Sequence, residues 1–452
     1  MTGTGRRRGF TVPPFQAGRQ MGRRERERAG HSAAGGEPEA VAPRASRSRS
    51  LLGYLVMPRP KDAVKGLLMP FTFMLAVAAG ADATGRTVVR ALIVWGALEL
   101  LIYPARYQWN DIRGFVADQN HPGRKDRGRL PGPLERARSR VGASGAVALT
   151  RLALVAVLAL ALPQLHLAGV LGAVTAAVFG VAVVYEALRA RGTGRTGAFP
   201  PPARPAVVAL WVVVGAGYAV RGTTGLALAV DLGANPGLAV AAAVALWAFG
   251  IAFVTSRWVL ESLAFATTGD GRLSWEARAD QAREHLLALV RWLPPYHAGA
   301  SPSGWAPLRG RTALTAPWNL ALLAAGTAAA ATGSLLVAPG AGTRALVTAA
   351  AGAVTTAAVI LSARSRPVVV GCGALLLLVP ALTGQPRSPA VLLPWLSLMA
   401  AHLTFSSRSL DTIGLLPGRL RSLTAACLAP PARAVVGQAT WEALRRDTDA
   451  PR

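Results

Sequence analysis

Glu99, Tyr103, Arg106 and Asn110 follow one another at steps of four, three and four residues. At about 100° per residue they share one face of a helix. The same stepping leads on to Gly114 and Asp118, and Asp111 lies beside Asn110. Asn110, Asp111 and Asp118 offer hard oxygen donors, the kind that Mg²⁺ takes while drawing further ligands from water and substrate phosphates. Just beyond stand Arg124, Lys125, Arg127 and Arg129. Guanidinium groups grip phosphate oxygens with two parallel N–H donors. An oxygen column beside a basic cluster therefore suits a metal–diphosphate substrate. Each half has an ordinary reading too. Glu99 can pair with Arg106 and fix packing, and the basic cluster can be a loop that follows a membrane span. Their adjacency is what favours chemistry.

Such residues need elements to hold them, and those elements are membrane helices. Of 452 residues, 52% are hydrophobic and 16% charged, less charge than a soluble chain of this size carries. The apolar residues cluster into runs at 65–83, 87–106, 144–163, 167–186, 205–229, 236–256, 315–338, 343–363, 366–384 and 389–406, each near the ~20 residues a helix needs to cross a bilayer. The expectation is an all-α integral membrane protein with nine or ten transmembrane helices. A carboxylate inside such a span is expensive and turns to the bundle interior.

The net charge of +27 is distributed by topology. Arginines crowd the N-terminal tail, alternate connections and the C-terminal tail, while the connections near 164–167, 230–236 and 339–343 are almost free of positive charge. This pattern predicts a cytoplasmic N-terminus and, with ten spans, a cytoplasmic C-terminus in a cell-membrane protein. It argues for anionic lipid headgroups rather than nucleic acid as the basic surface's partner, and no protein partner is predicted. Residues 1–50 are polar and basic and predict a disordered tail; 51–406 form the helical domain, and 407–452 a basic cytoplasmic tail with a short amphipathic helix around 435–446. Within the cytoplasmic segment 257–313, SRWVLESLAF and WEARADQAREHLLALVRWL repeat their apolar residues at helical spacing and predict helices against the membrane face. Cys372 and Cys427 have no metal spacing and suggest no disulfide.

The stretch NDIRGFVAD, 110–118, resembles the first aspartate-rich motif of the UbiA superfamily of intramembrane prenyltransferases, with Gly114 where that motif has its central Asp. The HPGRKDRGRLP that follows is similar to the family's His-Pro and Arg-rich continuation. MPRPKDAVKGLLMPF (57–71), YEALR (185–189), GYAVRGTTG (217–225) and SRWVLE (256–261) resemble further family elements in order and spacing over roughly 50–400. The resemblance implies a UbiA-like helical bundle around a lipid-open cavity, holding a polyprenyl diphosphate on Mg²⁺ at the cytoplasmic face. It implies Asn110 and Asp118 as metal ligands and Asp111 as their support. Arg124, Lys125, Arg127 or Arg129 would bind the phosphates, and Tyr185, Arg189, Arg257 and Glu261 would complete the site. The implied function is a Mg²⁺-dependent transferase that releases pyrophosphate.

Two departures widen the choice of reaction. Gly114 removes one carboxylate, and the loop after 256 offers Glu261, Asp270, Glu276 and Asp280 without the spacing of a second aspartate cluster. The sub-pattern Asn-Asp-Ile-Arg, Ala-Asp, His-Pro with SRWVLE looks most like the decaprenyl-phosphate phosphoribosyltransferase branch. Phosphoribosyl transfer to a polyprenyl phosphate, terpene cyclisation on the same fold and a degenerate lipid-binding homologue stay open as alternatives. Other residues have plain readings. Arg221 can snorkel to the outer interface. His166 suits a short outer loop, His285 and His297 the surface, and His402 a core position. Trp258, Trp275 and Trp292 suit interfacial anchoring.

Overall fold

Backbone groups in lipid must be satisfied within the protein, and a helix does this inside one segment. The computed structural model describes residues 50–121, 129–194, 199–269, 272–293, 312–362, 365–383 and 385–407 with positions 430, 434 and 438, all in one unit, Ser48–Arg452. The described helices are α1 (Leu51–Val56), α2 (Leu68–Ala78), α3 (Gly85–Gly96), α4 (Tyr103–Gln119), α5 (Ala137–Ala161), α6 (Leu167–Gly192), α7 (Pro205–Val213), α8 (Ala216–Ala229), α9 (Pro236–Glu261), α10 (Glu284–Leu287), α11 (Pro317–Val337), α12 (Gly342–Leu361), α13 (Arg366–Thr383) and α14 (Leu393–Ser407). Among the described residues, eight helical segments are long and apolar enough to span a membrane, from Gly85–Gln119 to Arg366–Thr383. The chain is thus an all-α, multi-pass membrane protein by the length and composition of its helices. The outermost two of the ten apolar runs form shorter helices, Val64–Ala78 and Pro389–Thr404. At 1.5 Å per residue a 15-residue helix covers only about 22 Å of a ~30 Å hydrocarbon layer.

Helices α2, α8, α9 and α11 pack in that order, each on the next, and α11 also carries α12 and α14. Helix α4 packs on α5, and α6 on α7. The α11–α14 half has its own core of Leu322, Ala329, Leu377, Trp395 and Met399, with the Trp395 indole donating to Thr356 Oγ1 at 3.0 Å. Small residues set the closest approaches. A methyl group on Gly225 of α8 would stand 2.1 Å from the Met69 carbonyl oxygen of α2. Gly225→Ala is therefore expected to force α2 and α8 apart and lower stability by about 1–3 kcal/mol, read from unfolding of the detergent-solubilised protein.

The segment after α9 departs from the expected helices. Residues 262–265 form a 3₁₀ turn and Thr267–Gly269 pairs antiparallel with Arg272–Ser274 as a small hairpin, β1–β2. Single turns at Glu276–Arg278, Glu284–Leu287 and Val290–Trp292 follow. The reason lies in burial. Residues 284 to 290 are buried without interruption, so no solvent face exists for an amphipathic helix. The segment is tied down instead by Trp275, whose indole donates to the Ser262 carbonyl at 2.9 Å, and by Trp211, which donates to the His285 carbonyl at 3.0 Å. Trp258 and Trp275 are therefore core residues rather than interfacial anchors, and Trp292 packs on the Trp211 ring. His285 is buried against the Trp258 ring, not on the surface. His166, the non-glycine residue with φ of +48°, turns the chain between α5 and α6 as a short loop requires.

Candidate functional site

Helix α4 is the spine of the site, and its entry is irregular. Pro104 has no N–H for the carbonyl one turn back, and a π-helical turn occupies Ala97–Ile102 immediately before it. The wide turn redirects Glu99. Its carboxylate accepts from Arg221 of α8 at 2.7 Å, where sequence spacing alone suggested Arg106. Arg221 is 3% exposed, so it does not snorkel outward. It lies over the Tyr103 ring at 3.1 Å and donates to the Tyr107 hydroxyl at 3.3 Å. The carboxylate also fills the space that Gly66 leaves, since a methyl there would stand 2.9 Å from Oε2.

A cavity of about 690 Å³ opens along α4. One stripe of that helix faces it: Tyr103, Arg106, Tyr107, Asn110, Arg113, Gly114, Ala117 and Asp118. These positions recur every three or four residues, the period of one helix face. Other walls come from the turn before α2, α6, α7, α8, α9 and the segment that follows α9. Nine of the described lining residues are Lys or Arg: Arg59, Lys65, Arg106, Arg113, Arg129, Arg189, Arg221, Arg257 and Arg283. Among the described residues, only Asp62, Asp118 and Glu261 line it as carboxylates. Val178, Val181, Val213, Val214, Phe253 and Val254 supply apolar wall.

The residues chosen from the sequence are sorted by this geometry. Asn110, Asp118, Arg129, Tyr185, Arg189, Arg257 and Glu261 all line the cavity. Arg124, Lys125 and Arg127 lie outside the described residues. Asp111 is fully buried behind the wall. It accepts from Arg59, from Arg129 at 2.9 Å and from the Tyr54 hydroxyl at 3.2 Å. Asp111 is thus a positioning residue for two cations of the wall.

Glu186 plays the same part on α6. It is 3% exposed and accepts from Arg189 at 2.8 Å and Arg113 at 3.4 Å. The Asn110 amide, oriented by its partners, donates to Glu186 and accepts from Arg59 at 2.5 Å. In the turn before α2, Lys65 pairs with Asp62 at 2.6 Å. Burial alone would raise the Asp62 carboxyl, but Lys65 and Arg59 outweigh it and hold it below the ordinary carboxylate range. Burial alone would likewise lower the Arg59 guanidinium, but Asp111 and Asp62 hold it above its ordinary range.

Sequence reasoning gave no part in the site to Arg59, Asp62, Lys65 or Glu186. Arg59 and the two neighbours lie in MPRPKDAVKGLLMPF, which was singled out for its pattern without roles for its residues. Glu186 left a signal as well. It is a carboxylate in the apolar run 167–186, the same signature that drew attention to Glu99.

A Mg²⁺ ion held by Asn110 and Asp118 fits this donor set poorly. The Asn110 oxygen already faces a guanidinium. Asp118 lies 4.0 Å from Arg129, and Asp111 already accepts from Arg59, Arg129 and Tyr54 behind the wall. Among the described residues no group of three His, Cys, Asp or Glu is placed to hold a metal. Gly114 faces the cavity, and a methyl there would stand 3.1 Å from Asp118 Oδ2. The position leaves room for Asp118 rather than adding a third ligand. What the arrangement can do is bind an anion: many fixed donors, few carboxylates, and an apolar wall beside them.

No family model, curated protein or solved structure matches the chain.

Proposed function

We propose that the chain is a membrane-embedded transferase of the UbiA type, acting on a polyprenyl diphosphate with release of pyrophosphate. The observation that carries this reading is the cavity wall, nine Lys or Arg against three carboxylates among the described residues, beside Val and Phe side chains inside a membrane bundle. Phosphates suit the first part and an isoprenoid tail the second. The motif resemblance over 110–129 supports the same substrate class. Orientation follows the arginine-rich connections, which favour a cytoplasmic mouth.

In this reading Arg189, Arg113 and Arg129 hold the diphosphate, each oriented by a buried carboxylate, Glu186 or Asp111. The allylic C–O bond breaks, and its electron pair leaves with pyrophosphate. Fixed guanidinium groups stabilise the charge that develops there, at no reorganisation cost during reaction. Val178, Val213 and Phe253 keep water from the carbon cation. An acceptor nucleophile forms the new bond, and its proton passes to Asp118 or Glu261. Tyr185 and Arg257 complete the wall around the leaving group.

The length of the basic row favours a second reading, phosphoribosyl transfer to a polyprenyl phosphate. From Arg106 to Asp118 α4 rises about 18 Å, room for two phosphorylated substrates. The test is pyrophosphate release by purified protein from allylic diphosphates of several lengths, with and without an aromatic acceptor, and from phosphoribosyl pyrophosphate with a polyprenyl phosphate. The first reading expects release from the allylic set, reduced at least about tenfold in Arg189→Gln. Release from the second set alone would move the assignment to phosphoribosyl transfer. Silence in both sets, from folded protein, would leave lipid binding without catalysis.

A further inference from the structure

We infer that the Tyr103 end of the cavity is a second ligand subsite, in which the Tyr218 hydroxyl bonds to an uncharged hydroxyl group of the second substrate. Tyr218 would thereby select a neutral hydroxyl compound over a second phosphate. The inference rests on the reading of the chain as a two-substrate transferase, with its diphosphate held by Arg113, Arg129 and Arg189.

Tyr218 lies on α8, is 7% exposed and lines the cavity. Its hydroxyl is buried and has no hydrogen-bond partner among the described residues. Such a group lowers stability until something bonds to it. The ring has little room to turn away in search of a partner. A methyl group on Gly250 of α9 would stand 2.7 Å from the ring, and the Phe249 and Phe253 rings lie 6.2 Å and 5.9 Å from it between centroids. Phe253 is itself cavity wall, so the orphaned hydroxyl belongs to a ring beside an apolar surface. The two neighbouring tyrosines are already bonded. Tyr103 donates to the Gly217 carbonyl at 2.9 Å, and the Tyr107 hydroxyl accepts from Arg221 at 3.3 Å.

The charges beside Tyr218 are matched in pairs. The Lys65 ammonium lies 5.9 Å from the Tyr218 ring centroid and pairs with Asp62 at 2.6 Å. Arg221, three residues farther along α8, pairs with Glu99 at 2.7 Å. A phosphate here would have to draw these two cations from carboxylates that they already hold. A neutral hydroxyl adds no charge to a setting where an unmatched one is costly. It can accept from Tyr218 and still donate its own proton. The spacing fits two ligands. The bonds from Tyr103 to Gly217 and from Arg221 to Tyr107 set this part of α8 level with Tyr103 and Tyr107 of α4. Those residues precede Arg113 by about 9–15 Å of helix rise. A small ring or a short chain with a hydroxyl at its far end spans that distance, leaving its reacting end toward the diphosphate.

The test is equilibrium binding of 1-naphthol and 1-methylnaphthalene to the full chain in detergent, with uptake by detergent alone subtracted, for the wild type and Tyr218→Phe. The inference expects the wild type to bind the naphthol more tightly than the methyl compound. Tyr218→Phe should weaken naphthol binding about three- to tenfold, the value of one hydrogen bond between neutral groups, and leave methylnaphthalene binding unchanged. The variant should also unfold no more readily than the wild type, since it loses a hydroxyl that bonds to nothing in the protein. Equal naphthol affinity in the two proteins, or an equal loss for methylnaphthalene, would overturn the inference. Marked destabilisation by Tyr218→Phe would overturn it too, by showing that the hydroxyl has a partner within the fold. So would 1-naphthyl phosphate that binds more tightly than naphthol beside saturating pyrophosphate and depends on Tyr218, because that end would then seat a second phosphate. Titration of the same samples with pyrophosphate checks the underlying reading separately. Naphthol binding that depends on Tyr218, in a protein that does not bind pyrophosphate, would remove the diphosphate site and leave the hydroxyl subsite standing.

Discussion

Glu99→Ala is expected to lower stability by about 3–5 kcal/mol. The substitution leaves Arg221 buried without its carboxylate, and the price of an unpaired buried charge exceeds the value of the pair it breaks. Tyr103 and Tyr107 remain around Arg221 but bring no negative charge. The effect is measured by equilibrium or thermal unfolding in detergent. Arg221→Met alone should do comparable harm by stranding Glu99. The double variant Glu99→Ala with Arg221→Met should recover much of the loss, because it removes both charges together. A double variant that loses the sum of the two single losses would mean that the two residues do not depend on each other.

Asp111→Ala should cost about as much, and it should also disable the cavity. Asp111 has no exposed surface and ties Arg59 and Arg129, both cavity residues, to the Tyr54 hydroxyl of α1. Its loss leaves two guanidinium groups without a fixed position, so stability falls by about 3–5 kcal/mol. Binding of a diphosphate should weaken at the same time, although Asp111 does not face the ligand. Asp111→Asn keeps the shape and part of the hydrogen bonding, and is expected to cost about 1.5–3 kcal/mol. Unfolding curves and diphosphate affinity on the same preparations check both statements. Unchanged affinity in a folded Asp111→Asn protein would show that the two arginines hold their places without it.

The helical part of the fold was legible because each span repeats the same requirement, an apolar run near bilayer length. The α4 stripe was legible for a related reason. Its period survives whatever packs against it, and Asn110 and Asp118 do reach the same cavity. The partner of Glu99 was not legible. Helical spacing points to Arg106, but the π turn before Pro104 sends the carboxylate to Arg221, more than one hundred residues away. Long-range pairs of this kind leave no periodic trace. The segment after α9 misled for another reason. Apolar residues at helical intervals also satisfy a chain that folds into short turns when it is buried on every side, as Leu286, Leu287 and Leu289 are. The same burial took Trp258 and Trp275 from the membrane interface into the core. Asn110 lines the cavity and Asp111 lies buried behind its wall, yet what each of them bonds to depends on Arg59, whose distance in sequence hid it.

Equilibrium binding of a radiolabelled prenyl diphosphate to the purified chain, beside the matching prenyl alcohol, addresses the central claim most directly. A basic cavity with an apolar wall predicts saturable binding of the diphosphate, at least about a hundredfold tighter than the alcohol, since several charge-assisted hydrogen bonds separate the two ligands. Affinity should fall as salt rises, because the attraction is ionic. Equal binding of diphosphate and alcohol, or no saturable binding of either by folded protein, would contradict the claim that this cavity is built for a phosphorylated isoprenoid.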